Sequence, residues 1–505
     1  MSGNLIKSSV GVTFVLVLGY VLSFVKESVI ANYYGVSQEV DAYTIAIQIP
    51  VTLFAFISVA LHSVVIPLYS DLLYNQGKER AKSFIDHLIS IISIFSLLLI
   101  LFGEIFADQL IYLFAPGFNE GAHSLATELL RLIFPVVLFT VLSNILLALL
   151  NTNKQFILPS FGVFFLNVGI IICIVILHLE YGIASACIGQ VVGAILNIVY
   201  LYWLCRGYYQ YRFRFSLKDD FVKKALKMSL PILLSISVAE INTIVNRIVA
   251  SFLFVGSISA LGYASKLNTV FMSLFISAIA TIIYPLYAES SANNNMKQLN
   301  IRVNTTLAVY SLFIIPLMCG LYCFKSEIVT VVFARGVFDE EAVKLTQELL
   351  GCYTLGLLFM ALRETITKVF YSLKDTRTPA KNAIIGVILN IVLNLILSYF
   401  LGVKGLALAT SITALFIASR LLMLLIQKNK VICLDYFFAN LWRIGLASFV
   451  MFIMILAYRD YVEYSNILYF LLLGVLIGSV VYSVCIFILK LSILNDLLLI
   501  IKRKS

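Results

Sequence analysis

The chain has 505 residues, of which 61% are hydrophobic and 12% charged, with a formal net charge of +10. Soluble domains carry roughly 25% charged residues, and a water-soluble chain of this length needs far more polar surface, so lipid must be the solvent for most of it. Period-two alternation is too weak for a transmembrane barrel, which leaves spanning helices.

Apolar runs of about 20 residues, divided by polar breaks, predict about fourteen spans. In chain order they cover 9–33, 40–70, 84–113, 125–150, 157–178, 181–205, 226–254, 260–290, 302–324, 344–373, 379–401, 405–427, 437–458 and 465–490. The first follows Lys7, has no small-residue cleavage site and continues past Lys26 and Glu27 to Ala31. It therefore reads as an uncleaved span and not a signal peptide. Several runs exceed a straight crossing, which predicts tilt, or kinks at Pro50, Pro135 and Pro316. The expected fold is an all-α polytopic membrane protein: a six-helix bundle over 1–205, a basic cytoplasmic linker over 206–225, a second six-helix bundle over 226–427, and two extra helices over 437–490.

The basic residues set the orientation. With the N-terminus inside, about 23 Lys and Arg face the cytoplasm, from Lys7 through the run Arg206 to Lys227 and on to Lys504, against about four outside (Lys325, Arg335, Lys404, Arg459). Both termini are expected in the cytoplasm of a bacterium, with the chain multi-pass in its inner membrane. The positive charge is thereby accounted for without nucleic acid, and the 206–227 run is also placed to touch anionic headgroups. The eight cysteines include no CxxC pair, and His62, His87, His123 and His178 have no metal-ligand spacing. No P-loop sequence is present, so energy is expected from a proton or sodium gradient, the membrane potential or the cargo's own gradient, with no cofactor.

The block Pro67 to Phe139 lies over the block Pro285 to Phe359. Pro67-Leu68-Tyr69-Ser70-Asp71 matches Pro285-Leu286-Tyr287-Ala288-Glu289, Thr127-Glu128-Leu129-Leu130 matches Gln347-Glu348-Leu349-Leu350, and Asn167 answers Asn390. An even repeat of six spans gives both copies the same sense across the membrane. Parallel repeats of this kind build transporters with a substrate site between the bundles.

Three stretches carry a family resemblance: Phe333-Ala334-Arg335-Gly336-Val337-Phe338-Asp339, Phe370-Tyr371-Ser372-Leu373-Lys374-Asp375-Thr376-Arg377-Thr378-Pro379, and Gly405-Leu406-Ala407-Leu408-Ala409-Thr410-Ser411. With them the chain resembles the MviN/MurJ-type lipid-linked glycan flippases of the multidrug and polysaccharide exporter superfamily. The resemblance implies alternating-access export of a polyprenyl-diphosphate-linked saccharide for cell-envelope glycan, with glycan-synthesis enzymes as candidate partners. The first half departs from the family pattern. Tyr20, Ser23 and Lys26-Glu27 stand where an arginine, a glycine and an Arg-Asp pair are usual, and Phe54 and Ala55 stand near the place of an arginine pair; Asp41-Ala42-Tyr43 keeps the pattern. These departures tilt the expected cargo to an exopolysaccharide repeat unit over the peptidoglycan precursor lipid II.

Ionisable groups within a membrane cost roughly 2.5–3.5 kcal/mol on insertion scales and usually face a cavity or a partner. Lys26, Arg247 and Lys266 are the candidate substrate-binding cations, suited to a diphosphate by charge and, for Arg, by bidentate hydrogen bonding; the alternative is that they snorkel to the interface. Glu27, Asp41, Glu240, Asn242, Asn246 and Arg363 are the candidates for cavity lining or ion coupling. Glu240 and Arg247 share a helix face, Glu364 and Lys368 are spaced as an internal pair, and Asp339 suits a helix N-terminus. The competing functions are a cation-coupled multidrug exporter of the same superfamily and, as an enzyme, a membrane glycosyltransferase or polymerase, which would need a large extramembrane loop.

Overall fold

Each predicted apolar stretch coincides with one helix or with two in succession. The computed structural model describes residues 2–216, 218–428, 433–462 and 466–491, with side chains described except at 2–10, 13, 54–63, 230–239 and 273–282. The side chains of Lys7, Phe54, Ala55, His62, Lys430, Lys502, Arg503 and Lys504 lie outside the described residues. All regular structure among the described residues is helical.

The chain forms two compact units: Met1–Ser259 with Arg335–Phe338, and Ala260–Ala334 with Asp339–Ser505. The first contains α1 (Ser2–Tyr34), α2 (Gln38–Asn75), α3 (Lys78–Ile105), α4 (Ala107–Phe114), α5 (Glu120–Ile133), α6 (Val136–Thr152), α7 (Ile157–Ser160), α8 (Gly162–Tyr181), α9 (Ala184–Cys205) and α10 (Asp220–Ser251). The second is built from α11 (Ser257–Ala292, its first turn still within the first unit), α12 (Met296–Cys323), α13 (Lys325–Phe333), α14 (Glu340–Thr354), α15 (Leu357–Ser372), α16 (Arg377–Leu401), α17 (Val403–Lys428), α18 (Asp435–Tyr461) and α19 (Ile467–Ile488).

By length and apolarity, 10 described helical segments can cross a membrane, or 11 if α14 and α15, bent by 41° at their junction, form one span. Lipid as solvent shows in the packing. Leu98, Leu101, Ile176, Leu179, Leu395 and Phe400 are large, apolar and exposed, which a water-soluble surface rarely tolerates in such number.

In the first unit α2 packs against α5, α6 and α10, and α8 against α9. The α8–α9 seam is closed by glycines: a Cβ on Gly189 would stand 2.7 Å from the Gly169 carbonyl oxygen, and one on Gly193 2.6 Å from that of Phe165. Small residues let helix backbones approach where no hydrophobic effect drives association. In the second unit Leu307, Leu357, Ala361, Phe370, Leu421 and Ile444 join α12, α15, α17 and α18 in one buried cluster.

The internal repeat is visible in the backbone. Phe106 breaks α3 from α4 and Phe324 breaks α12 from α13, each with φ −101. Asn119 caps α5 through the Ala122 N–H and Asp339 caps α14 through the Ala342 N–H, both at 2.8 Å. Lys154 and Lys374, with φ 62 and 61, end α6 and α15 in the left-handed region. The N–H groups that close these ends, Gln155 to Leu150 and Asp375 to Phe370, correspond one for one, as the helix-terminating left-handed turn requires. Pro135, one of the predicted kink positions, stands between α5 and α6.

Candidate functional site

Asp41, in the first turn of α2, is 4% exposed. Its Oδ2 accepts from the Gly256 N–H and its Oδ1 from the Ser259 N–H, both at 2.7 Å, so the carboxylate satisfies donors at the start of α11 that no helical carbonyl can reach. Gly256 has φ +90, and a Cβ there would stand 2.5 Å from Val36 Cγ1; only glycine fits. Arg247 reaches the same turn from α10, its Nη1 donating to the Ile258 carbonyl at 3.1 Å. Two of the residues singled out from sequence, Asp41 and Arg247, thus meet on one turn.

Lys26 and Glu27 form an ion pair at 3.1 Å, each side chain 15% exposed. Neighbouring positions on a helix do not face each other, so the contact depends on both long side chains bending together. Glu240 accepts from the Thr52 hydroxyl at 3.4 Å, and Thr52 Oγ1 accepts from Gln48 Nε2 at 2.8 Å. This chain ties α10 to α2 through a threonine that is 2% exposed. On the same helix as Glu240, Asn246 is half-buried, and the buried Asn242 Oδ1 has no hydrogen-bond partner among the described residues. In the second unit Lys266 on α11 and Arg363 on α15 are exposed. Glu364 and Lys368 pair along α15 at 3.1 Å.

The three stretches that carry the family resemblance do structural work. Gly336 has φ +58, and a Cβ there would stand 2.1 Å from the Asn32 carbonyl oxygen; beside it, the Val337 N–H donates to that oxygen at 3.1 Å. Asp375 accepts from the Thr378 N–H at 3.0 Å, the Thr378 hydroxyl at 2.6 Å and Lys428 Nζ at 2.8 Å, which fixes the start of α16. A Cβ on Gly405 would stand 2.1 Å from the Leu397 carbonyl oxygen, and Ser411 donates to the Cys352 carbonyl at 2.7 Å.

Sequence reasoning passed over Asp86. It is 2% exposed on α3 and accepts from the Tyr209 hydroxyl at 2.6 Å and the Arg212 N–H at 3.1 Å. The signal was there: an acid inside the apolar run 84–113 needs a partner. Thr52 and Gln48 gave no signal, because uncharged polar residues are ordinary in spanning helices.

Two units of described helices that repeat one pattern of breaks, caps and turns, built from apolar helices of spanning length, define an all-α polytopic membrane protein. Solved structures agree on the fold. A multidrug-resistance MATE family transporter of the MOP superfamily, in an inward-facing conformation, superposes with a TM-score of 0.69 at 14% identity, covering 82% of this chain and 95% of that one. A structure described as lipid II flippase MurJ, inward closed conformation, superposes with a TM-score of 0.83 at 30% identity, covering 96% of this chain and 99% of that one.

The family described as "Lipid II flippase MurJ" matches residues 30–476, and the chain belongs to it. Among relatives, the probable lipid II flippase MurJ of Buchnera aphidicola subsp. Baizongia pistaciae (strain Bp) is 27% identical over 92% of this chain and 91% of its own length. The lipid II flippase MurJ of Thermosipho africanus (strain TCF52B) is 30% identical over 92% of both chains. The family is one of transporters and not enzymes. The tilt toward an exopolysaccharide repeat unit finds no support in these relatives, all named for lipid II. It rested on missing arginines in the first half; the family model matches from residue 30 on, past Phe54 and Ala55, and begins after Tyr20, Ser23 and Lys26-Glu27.

Proposed function

We propose that this protein carries lipid II, a polyprenyl-diphosphate-linked peptidoglycan precursor, from the cytoplasmic to the outer leaflet of the inner membrane. The observation that carries the reading is likeness to a lipid II flippase along 96% of the chain, at 30% identity and a TM-score of 0.83. In this reading Lys26, Arg247 and Lys266 are the cations that attract the diphosphate. Arg247 suits the role because the Ile258 carbonyl orients its guanidinium and a planar fork matches phosphate oxygens. Glu240, anchored on Thr52, is the candidate for a coupling proton or sodium ion. Both termini are read as cytoplasmic from the asymmetry of basic residues.

The test is replacement. A bacterium depleted of its own lipid II flippase is supplied with this chain, and growth and the lipid II pool are followed. Rescue of growth, with the accumulated precursor falling back to normal, supports the proposal. Failure to rescue by protein that is present in the membrane, together with efflux of cationic dyes, would overturn it in favour of a drug exporter.

A further inference from the structure

A cavity of about 260 Å³ opens in the first unit, where the segment after α9 crosses the start of α3. Lys82, Arg206, Arg212 and Arg214 line it together with Glu79 and Asp86, four cations against two carboxylates. Asp86 is largely committed to holding the segment itself, through the Tyr209 hydroxyl and the Arg212 backbone N–H, with Arg214 Nε 3.8 Å away. Glu79 lies 3.5 Å from Lys82, its side chain 82% exposed, where water weakens its pull on the cavity. The excess positive charge is therefore held in place by a buried carboxylate and is not neutralised by it.

Residues 210–216 run without helix or turn, and successive side chains of an extended segment face opposite ways. With Arg212 and Arg214 on the cavity, Phe213 and Phe215 occupy the other face, where they are 73% and 50% exposed. Two exposed phenylalanines interleaved with arginines have no use in water. The segment leaves the end of the spanning helix Ala184–Cys205 and is bonded to the third turn of Lys78–Ile105, which puts it near the level where spans meet headgroups. Cationic clusters at that level attract anionic lipids, and apolar rings beside them can enter the acyl boundary.

We propose that this cavity holds the phosphate of an anionic phospholipid of the cytoplasmic leaflet, with Arg206, Arg212 and Lys82 on the phosphate and Phe213 and Phe215 among the upper acyl chain. The lipid is distinct from the cargo, so the site stands whether or not the transport reading does.

The test is native mass spectrometry on the purified full chain, offered phosphatidylglycerol or phosphatidylcholine. The wild type retains phosphatidylglycerol in preference to phosphatidylcholine. The double variant Arg206→Gln/Arg212→Gln binds it about 25-fold more weakly, each lost cation being worth about fivefold near an anionic surface. Both substitutions leave the Arg212 N–H on Asp86, and an unchanged unfolding midpoint confirms that the fold is intact; Lys82→Gln supplies an independent second variant, expected to bind phosphatidylglycerol about fivefold more weakly. Equal retention by wild type and both variants, or equal retention of the two lipids, would overturn the proposal. Displacement of phosphatidylglycerol by millimolar inorganic phosphate would overturn the lipid assignment and give the cavity to a soluble phosphate.

Discussion

The carboxylate of Asp41 stands 2.7 Å from the backbone nitrogen of Ser259, 218 positions along the chain. This contact joins the beginning of α2 to the beginning of α11, and its partner on Gly256 completes a cap made by a residue remote in sequence. Asp41→Ala strands two buried N–H groups, at about 1–3 kcal/mol each. Thermal unfolding of the purified protein should fall by several degrees, with Asp41→Asn between the variant and the wild type. An unchanged midpoint would mean that the cap contributes nothing.

Gly336 tests whether the family motif is structural. Any side chain at φ +58 is strained, and this one would also meet the Asn32 carbonyl oxygen. Gly336→Ala should lower the yield of folded protein and its unfolding midpoint, whereas Val337→Ala, which removes exposed methyl groups and keeps the N–H on Asn32, should leave both nearly unchanged.

The Asp375 knot predicts an acid limb in stability. The Lys428 ammonium first, and the Thr378 hydroxyl second, hold this carboxyl at about 2. The ordinary Asp value is about 3.9, so as pH falls the unfolded chain takes up the proton first. The stabilisation is complete above about pH 4 and is lost between about pH 4 and pH 2. Its amplitude is modest, because the Lys428 side chain is 49% exposed. Asp375→Asn should flatten this limb of the unfolding curve and leave its neutral part with the same slope.

Lys26 separates stability from transport. A partly exposed pair between adjacent positions contributes less than about 1 kcal/mol, so Lys26→Gln should leave the unfolding midpoint within about two degrees. Transport should fall at least tenfold if Lys26 holds cargo. A variant that transports at the wild-type rate would assign Lys26 to the Glu27 pair alone.

Much of the fold was legible in the chain because lipid imposes one rule: about 20 apolar residues, then a polar break. The repeat was legible from Pro67-Leu68-Tyr69 recurring as Pro285-Leu286-Tyr287, while the paired left-handed turns at Lys154 and Lys374, and at Gly182 and Gly402, show only in the folded chain. The breaks at Phe106 and Phe324 were not legible, since phenylalanine is apolar on either side of a bend and carries no turn signal. From sequence Asp41 reads as a candidate for cavity lining or ion coupling, and nothing local marks it as the cap of α11. That contact depends on how α2 and α10 pack, which periodicity does not encode. Asp86 was legible in principle as an acid in an apolar run, while its partners Tyr209 and Arg212 sit more than 120 positions away and only the folded chain joins them.

Translocation itself is the most direct measurement. Purified protein in vesicles is given fluorescently labelled lipid II in one leaflet, and its arrival in the other is timed by a quencher that cannot cross. Wild-type vesicles should move the label well above the rate of protein-free vesicles, and Arg247→Gln should reduce that rate at least tenfold while remaining folded. Wild-type vesicles no faster than empty ones, with the protein folded and correctly inserted, would contradict the account.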